Sequence, residues 1–271
     1  MPGRSDERRR SRGVVELDGP SRGLGQLLGG VRKFQQVTAP LVREKLARLA
    51  RDGQRPRQLF LTCADSRLVT SMITSSGPGD LFVVRNVGNL VPLPGQEGGD
   101  ESVAAAVEYA VEVLRVESVT VCGHSGCGAM QALHSAAATE PTGPIEPIEP
   151  TEPDTGTPGA RESGSPLSRW LRHGRPSVER AALRRRGPGA PRLAGRGEAD
   201  GLDALCLTNV IQQLEHLRAH ECVDRRVREG RLELNGMYFD VGLAQTYVLT
   251  ASGDADEAVF APVGPGTRES A

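Results

Sequence analysis

The feature that most constrains this chain is a short apolar run that ends in reactive side chains. Residues 59–62 (LFLT) are apolar and rich in strand formers, and they lead directly into the sequence CADSR. A thiol, a carboxylate and a guanidinium follow at alternate positions, as Cys63, Asp65 and Arg67. The run therefore predicts a buried β-strand over 58–63 that carries chemistry at its carboxyl end.

A second run of the same kind occurs further along the chain. Residues 119–122 are apolar and are followed by His124 and Cys127. Between the two runs, the pattern predicts a strand over 81–85 and an amphipathic helix over 103–114. Strand, helix and strand at this spacing predict a parallel sheet covered by helices on both faces. Because the carboxyl ends of neighbouring parallel strands open into one crevice, we expect the two reactive ends to form one site.

The other regular elements are predicted from apolar periodicity and from Gly and Pro breakers. Helices are predicted over 30–52 with an interruption near Pro40, and over 68–75, 127–138, 202–218 and 223–228. Strands are predicted over 232–234 and 245–249.

Three stretches lack such patterns and are predicted to lie outside the folded domain. Residues 1–29 are predicted to be a disordered N-terminal arm, and 252–271 a loose C-terminal tail. At about 139–200, an acidic, proline-dense half precedes an arginine-rich half. Neither half contains enough apolar surface to offset its chain entropy, so we predict a disordered insertion. These assignments leave one α/β domain over 30–251, interrupted by the insertion.

Composition excludes several classes of protein. The chain has 271 residues, of which 38% are hydrophobic, enough for a sizeable core. A formal net charge of -1 argues against a globally basic nucleic-acid binder. No stretch approaches the roughly 18 continuous apolar residues of a membrane helix, and the first residues lack the apolar core of a signal peptide. We therefore expect a soluble, cytoplasmic protein without membrane insertion, in which the five cysteines are reduced.

The side chains at the two strand ends are suited to a metal ion. Thiolate and imidazole are preferred zinc ligands, and the H-x-x-C spacing of His124 and Cys127 lets both reach one ion. Adding Cys63 makes a Cys2His set, which leaves a fourth position open, as in catalytic zinc sites. Taken singly, each feature has an ordinary explanation. An isolated H-x-x-C is a weak signal, a lone Cys63 is more often a small core residue, and Asp65 with Arg67 would form a surface ion pair. Their combination favours a metal site.

Four motifs in the chain resemble those of the β class of carbonic anhydrases. They are CADSR at 63–67, FVVRNVGNLVP at 82–92, VEYAVEVL at 107–114 and GHSGCG at 123–128. The resemblance covers roughly residues 30–138 and 202–249. Within the class it is most similar to the carbonic anhydrase portion of actinobacterial proteins that also occurs fused to bicarbonate or sulfate transporters. The resemblance implies an α/β fold with a mostly parallel central sheet flanked by helices, an N-terminal helical arm, and a homodimer or higher homo-oligomer.

The resemblance also implies an activity and a set of site residues. It implies one Zn2+ per chain bound by Cys63, His124 and Cys127, with Asp65 and Arg67 as the catalytic dyad. The reaction would be the reversible hydration of CO2 to bicarbonate and a proton, by attack of zinc-bound hydroxide. The implied substrate-binding residues are Gln54, which would act across a dimer interface, Phe82, Val87, Tyr109 and Gly128, the last through its backbone N–H.

Three alternatives remain open on the sequence. The same scaffold could hydrolyse a CO2 analogue such as carbon disulfide. A catalytically idle anion- or metal-binding module could attach to an anion transporter, with a bicarbonate transporter as the expected partner, through the arginine-rich insertion. A structural zinc site would need a fourth ligand, for which Asp65 is the candidate. The intact dyad argues against an idle module, whereas the unusual insertion argues for a partner.

Overall fold

The computed structural model describes residues 22–96, 98, 100–139, 165–184, 190–197, 199, 201–250 and 258–264. Its α-helices are α1 (Arg22–Lys33), α2 (Ala39–Asp52), α3 (Thr70–Thr74), α4 (Ser102–Glu108), α5 (Gly128–Thr139), α6 (Pro166–Leu171), α7 (Arg175–Arg184), α8 (Gly201–Ala219) and α9 (Glu221–Arg228). Its β-strands are β1 (Gln58–Cys63), β2 (Leu81–Asn86), β3 (Ser118–His124), β4 (Arg192–Leu193), β5 (Glu233–Asp240), β6 (Gln245–Thr250) and β7 (Val259–Pro262). None of the helices in these ranges is long and apolar enough to cross a bilayer.

The chain divides into two compact units between Gly53 and Gln54. The first unit contains α1 and α2, joined by a π-helical turn at Phe34–Thr38. Pro40 lies in the first turn of α2, where its missing N–H is tolerated. The predicted interruption near this proline is therefore a π-helical turn that precedes it.

The predicted disorder of the N-terminal arm is corrected for residues 22–29, which form most of α1. Leu24 and Leu27 continue the helical spacing of Val31, and this short apolar pattern is easily missed among the surrounding glycines. Residues 1–21 of the predicted arm lie outside the described residues.

The second unit is built on a seven-stranded sheet with the order β2-β1-β3-β5-β6-β7-β4. The strands β2, β1, β3 and β5 are parallel neighbours. In β1, Leu59 to Cys63 are all buried, as expected for a strand covered on both faces. The predicted strand at 58–63 and the mostly parallel sheet are confirmed.

The far side of the sheet is antiparallel and extends into the predicted tail. β6 pairs antiparallel with both β5 and β7, and β4 runs parallel to β7. The predicted loose tail is therefore corrected at Val259–Pro262. Phe260 is fully buried, with its ring 6.5 Å from that of Tyr238, and this contact together with the strand pairing anchors a segment whose composition is mostly polar. β5 is also longer than the predicted strand at 232–234.

The predicted disordered insertion is corrected at α6, α7 and β4. Helix α6 begins at a clear signal, because the Ser165 Oγ accepts the N–H of Ser168 and Pro166 occupies the first turn. A few apolar residues anchor these helices to the core, namely Trp170, Leu171, Val178 and Ala181. They are easily overlooked in the sequence because arginine dominates the stretch. Residues 140–164 of the predicted insertion lie outside the described residues.

Candidate active site

The reactive ends of β1 and β3 meet at the carboxyl edge of the parallel strands. Cys63 ends β1, His124 ends β3, and Cys127 immediately precedes α5. The two sulphur atoms and a ring nitrogen of His124 all lie within 4.8 Å of one another, and the sulphurs are 4.0 Å apart. All three side chains are buried. The structure therefore brings the three predicted ligands into one cluster.

The imidazole of His124 has one nitrogen in use and one free. Nδ1 lies 3.0 Å from the carbonyl oxygen of Ser125, so Nδ1 carries the proton and donates it. Nε2 then has a lone pair, and it is buried with no hydrogen-bond partner in the described part of the chain. Buried polar atoms are normally paired, whereas a lone pair fixed by a hydrogen bond at the opposite nitrogen is the arrangement of a metal-binding histidine.

Within the cluster, the thiol of Cys63 differs from the buried thiol of Cys122. The contact between Cys63 and Cys127 lowers the pKa of Cys63 and raises that of Cys127, because one proton is shared by the two sulphurs. The backbone N–H of Gly88 also donates to the Cys63 Sγ, at 3.4 Å. By contrast, burial raises the pKa of Cys122 to about 12, which is typical of an inert core thiol. The donor set of the cluster thus fits a thiophilic cation such as Zn2+.

Asp65 and Arg67 form a bidentate ion pair beside the cluster. Arg67 donates from Nε to Oδ1 at 2.9 Å and from Nη2 to Oδ2 at 2.8 Å, and its backbone N–H also donates to Oδ1. These bonds hold the pKa of Asp65 well below its ordinary value, so the carboxylate is ionised at neutral pH. Its Oδ2 lies 4.0 Å from the His124 Nε2. Arg67 Nη2 also donates to the Gly126 carbonyl at 2.9 Å, which ties the pair to the turn between His124 and Cys127.

Arg85 is a site residue to which the sequence reading gave no role. It donates from Nε to the carbonyl of Cys63 at 3.1 Å and from Nη2 to the carbonyl of Asp65 at 2.8 Å. Arg85 lies on β2, next to β1 in the sheet. Its signal in the sequence is an arginine near the end of an otherwise apolar strand.

The segment 86–92 supports the cluster, although only its first residue, at the end of β2, lies in regular secondary structure. The Asn86 side chain bonds both the N–H and the carbonyl of Leu90, each at 2.8 Å. Four further bonds to this segment come from a polar stripe of buried side chains on α8 and the residue that follows it. They are Asn209 to the Gly88 carbonyl, Gln213 from the Val91 N–H, His216 to the Val91 carbonyl and His220 to the Pro92 carbonyl. Their helical spacing in a largely apolar helix is a signal that sequence reasoning could have used.

The predicted substrate-binding residues occupy different surroundings. The rings of Phe82 and Tyr109 are 5.8 Å apart and tilted by 41°. Val87 is exposed and immediately precedes Gly88, which contacts the Cys63 sulphur. Gly128 follows Cys127, and no atom lies within 4 Å of the place where its Cβ would be. Gln54 is exposed in the turn before β1, so its role across a dimer interface stays a prediction.

Comparisons with known proteins identify relatives of this chain. The family model described as "Carbonic anhydrase" matches residues 58–246. The carbonic anhydrase of Pseudomonas aeruginosa is 38% identical over 215 residues, which cover 79% of this chain and 82% of that protein. The structure of the β-carbonic anhydrase CcaA aligns with a TM-score of 0.68 and 26% identity, covering 92% of this chain and 94% of that one. A structure of the tetrameric β-carbonic anhydrases from the ascomycete Sordaria macrospora aligns with a TM-score of 0.62 and 25% identity, covering 85% and 98%.

Proposed function

This chain belongs to the β class of the carbonic anhydrases, and on that basis we propose that it hydrates CO2 reversibly to bicarbonate and a proton with one Zn2+ per chain. The observation that carries the proposal is the buried Nε2 of His124, which has no hydrogen-bond partner among the described residues and lies in a cluster with two thiols. Cys63, His124 and Cys127 would bind the ion and leave a fourth position open. The metal would supply hydroxide at neutral pH, by lowering the pKa of a water molecule to about 7.

Asp65 would orient the attacking oxygen. Its ionised carboxylate lies next to the cluster and can accept a hydrogen bond from the O–H group, which directs an oxygen lone pair at the carbon of CO2. Arg67 engages both carboxylate oxygens and so keeps Asp65 available as an acceptor rather than as a fourth ligand. This pairing supports a catalytic site over a structural one. The proton released in the reaction would leave to buffer.

The proposed substrate pocket is apolar with few polar contacts. Phe82, Val87 and Tyr109 would form its apolar wall, which suits CO2 because this molecule has neither charge nor dipole. The Gly128 N–H would face a substrate oxygen, and Gln54 of a second copy would donate to the same molecule.

We propose a homo-oligomer as the working form, as the tetrameric relatives from Sordaria macrospora suggest. Supporting this, the helices of the first unit carry exposed apolar side chains, which a second copy would cover: Leu24, Leu27, Val31, Phe34 and Leu41. Light scattering on the purified full chain would give its mass, and a monomer at micromolar concentration would contradict this assembly. The site also needs reduced thiols, which suits the cytoplasm. Helix α7 of the arginine-rich stretch packs against α8, and an anion transporter partner stays a prediction from the sequence.

The test is stopped-flow CO2 hydration on the purified protein, with zinc measured on the same sample. We expect about one zinc per chain and activity at neutral to alkaline pH. A zinc-loaded sample without activity would overturn the reaction, and hydrolysis of carbon disulfide by that sample would favour the rival activity. A protein that takes up no zinc when the metal is added would overturn the ligand assignment.

A further inference from the structure

One peptide group links a distant helix to a sulphur of the cluster. The Val87 carbonyl accepts a hydrogen bond from the Trp170 Nε1 at 2.7 Å, and the Gly88 N–H donates to the Cys63 Sγ at 3.4 Å. These two polar atoms belong to the same amide. Trp170, on α6, is therefore connected to the sulphur of Cys63 through a single peptide unit.

The backbone that follows this peptide is also fixed in position, at Gly88. Gly88 has a φ of 85°, and a Cβ at this position would lie 2.9 Å from the Cβ of Ala129, so only glycine fits. The Gly88 carbonyl accepts from the Asn209 Nδ2 at 3.1 Å. The Asn209 Oδ1 in turn accepts from Ser177 at 2.8 Å and from Gln213 at 3.0 Å. Asn209, Ser177 and Gln213 are all buried, and such a satisfied buried network is rigid.

Hydrogen bonds at the two ends of one amide strengthen each other. A carbonyl that accepts a bond polarises its amide and makes the N–H a better donor. An N–H that donates to a thiolate withdraws charge from the sulphur and fixes its direction, and such outer partners tune a ligand's affinity for its metal. The hydrogen bond from the Trp170 Nε1–H would therefore change the electron density on the Cys63 sulphur, through this amide.

We propose that Trp170 is a positioning residue of the metal site, which acts by orienting and polarising the peptide that donates to the Cys63 sulphur. This rests on the proposed function, because it requires Cys63 to bind metal. The competing explanation is packing alone, since the Trp170 ring also contacts that of His173 at 5.3 Å. Trp170→Phe separates the two, because it keeps a ring of similar shape and removes only the donor.

The experiment uses the full chain loaded with Co2+ in place of Zn2+. The near-ultraviolet charge-transfer band from sulphur to cobalt reports the electron density on the thiolates, and competition with a chromophoric chelator gives the affinity for Zn2+. We expect Trp170→Phe to shift the band and to weaken zinc binding by roughly tenfold, the lower end for outer partners of metal ligands. Asn209→Leu, which removes the other donor to this backbone, should change both measurements in the same direction.

Gln212→Leu is the matched control. Gln212 is also on α8, but its side chain accepts from Arg180 at 3.2 Å rather than contacting the segment 86–92. Its band and zinc affinity should equal those of the wild type. Circular dichroism and the melting temperature identify any variant that fails to fold.

The outcomes separate the inference from the function on which it rests. If folded Trp170→Phe has the band and zinc affinity of the wild type, the inference is overturned, even where its melting temperature falls. The proposed metal site then survives, because the wild type still shows the band. If the wild type itself shows no sulphur-to-cobalt band, the metal site is wrong and the inference falls with it.

Discussion

The parallel and antiparallel sides of the sheet differ in construction and in role. On the parallel side, β1 and β3 are buried along their length, and the predicted ligands and dyad lie at or just beyond their carboxyl ends. On the antiparallel side, β6 and β7 each have one buried residue, an aromatic one, among partly exposed or exposed residues, and the two buried rings join Tyr238 in a cluster. Reactive groups gather where strand direction brings ends together, whereas the antiparallel strands contribute packing. Four principal substitutions, two of them with a companion variant, test this division in order of decreasing effect.

Cys127→Ala tests the parallel side most directly. Removing one of three ligands should abolish metal binding and CO2 hydration, because the two remaining ligands hold the ion too weakly. Zinc content and stopped-flow rates measure both. A chelator should lower the melting temperature of the wild type but not of Cys127→Ala, since bound metal stabilises only a chain that binds it.

Cys122→Ala is the control for this variant. Cys122 is fully buried in β3 but lies outside the cluster, so the variant should lose some stability and keep its zinc. Activity that survives Cys127→Ala would refute the ligand assignment.

Asp65→Asn separates the dyad from the metal ligands. The amide keeps the shape of the side chain but loses the charge that Arg67 stabilises, so zinc should remain while turnover falls by roughly 10²- to 10⁴-fold. Arg67→Ala should behave similarly, because it releases the carboxylate from its two side-chain bonds. If both variants lose zinc, the pair has a structural role and the proposed mechanism fails.

Phe260→Ala tests the antiparallel side. The side chain is fully buried, so its removal should lower the free energy of unfolding by about 3–5 kcal/mol. Denaturant titration measures this change. The folded variant should bind as much zinc as the wild type and turn over at the same rate, and a selective loss of zinc would show that the two sides are not independent.

Arg196→Gln should have the smallest effect. Arg196 forms a partly exposed ion pair with Asp240 at 2.9 Å and lies over the ring of Tyr247, interactions that together stabilise by about 1 kcal/mol at most. Its unfolding midpoint should approach that of the wild type as salt is added. A change in CO2 hydration would be inconsistent with a role confined to the sheet edge.

The parallel side could be predicted because each of its signals is local. The run that ends at Cys63 is apolar throughout, and the reactive residues follow it directly. Their convergence with His124 and Cys127 then follows from the rule that parallel strands end at one edge. Each strand, and the reactive residues that follow it, could therefore be predicted from residues that are close together in the chain.

The support of the site could not be predicted in the same way. Trp170 lies in a stretch dominated by arginine, where composition indicates disorder, and its partner is a backbone carbonyl far away in the sequence. Asn209 and Gln213 are polar residues in a helix, and without their partners they resemble a solvated face. Phe260 is a lone aromatic residue in a C-terminal stretch that is mostly polar. In each case a few specific contacts in the folded chain outweigh the average composition of the segment.

The hydrogen bonds that hold the segment 86–92 also affect the order in which the parts of the site form. A ribosome releases Cys63, His124 and Cys127 before it has made Trp170 or Asn209. The growing chain therefore holds all its proposed metal ligands before the peptide beside Cys63 can receive the bonds from Trp170 and Asn209. During synthesis the backbone beside Cys63 would be less firmly positioned than in the finished chain, and α6 and α8 would fix it later.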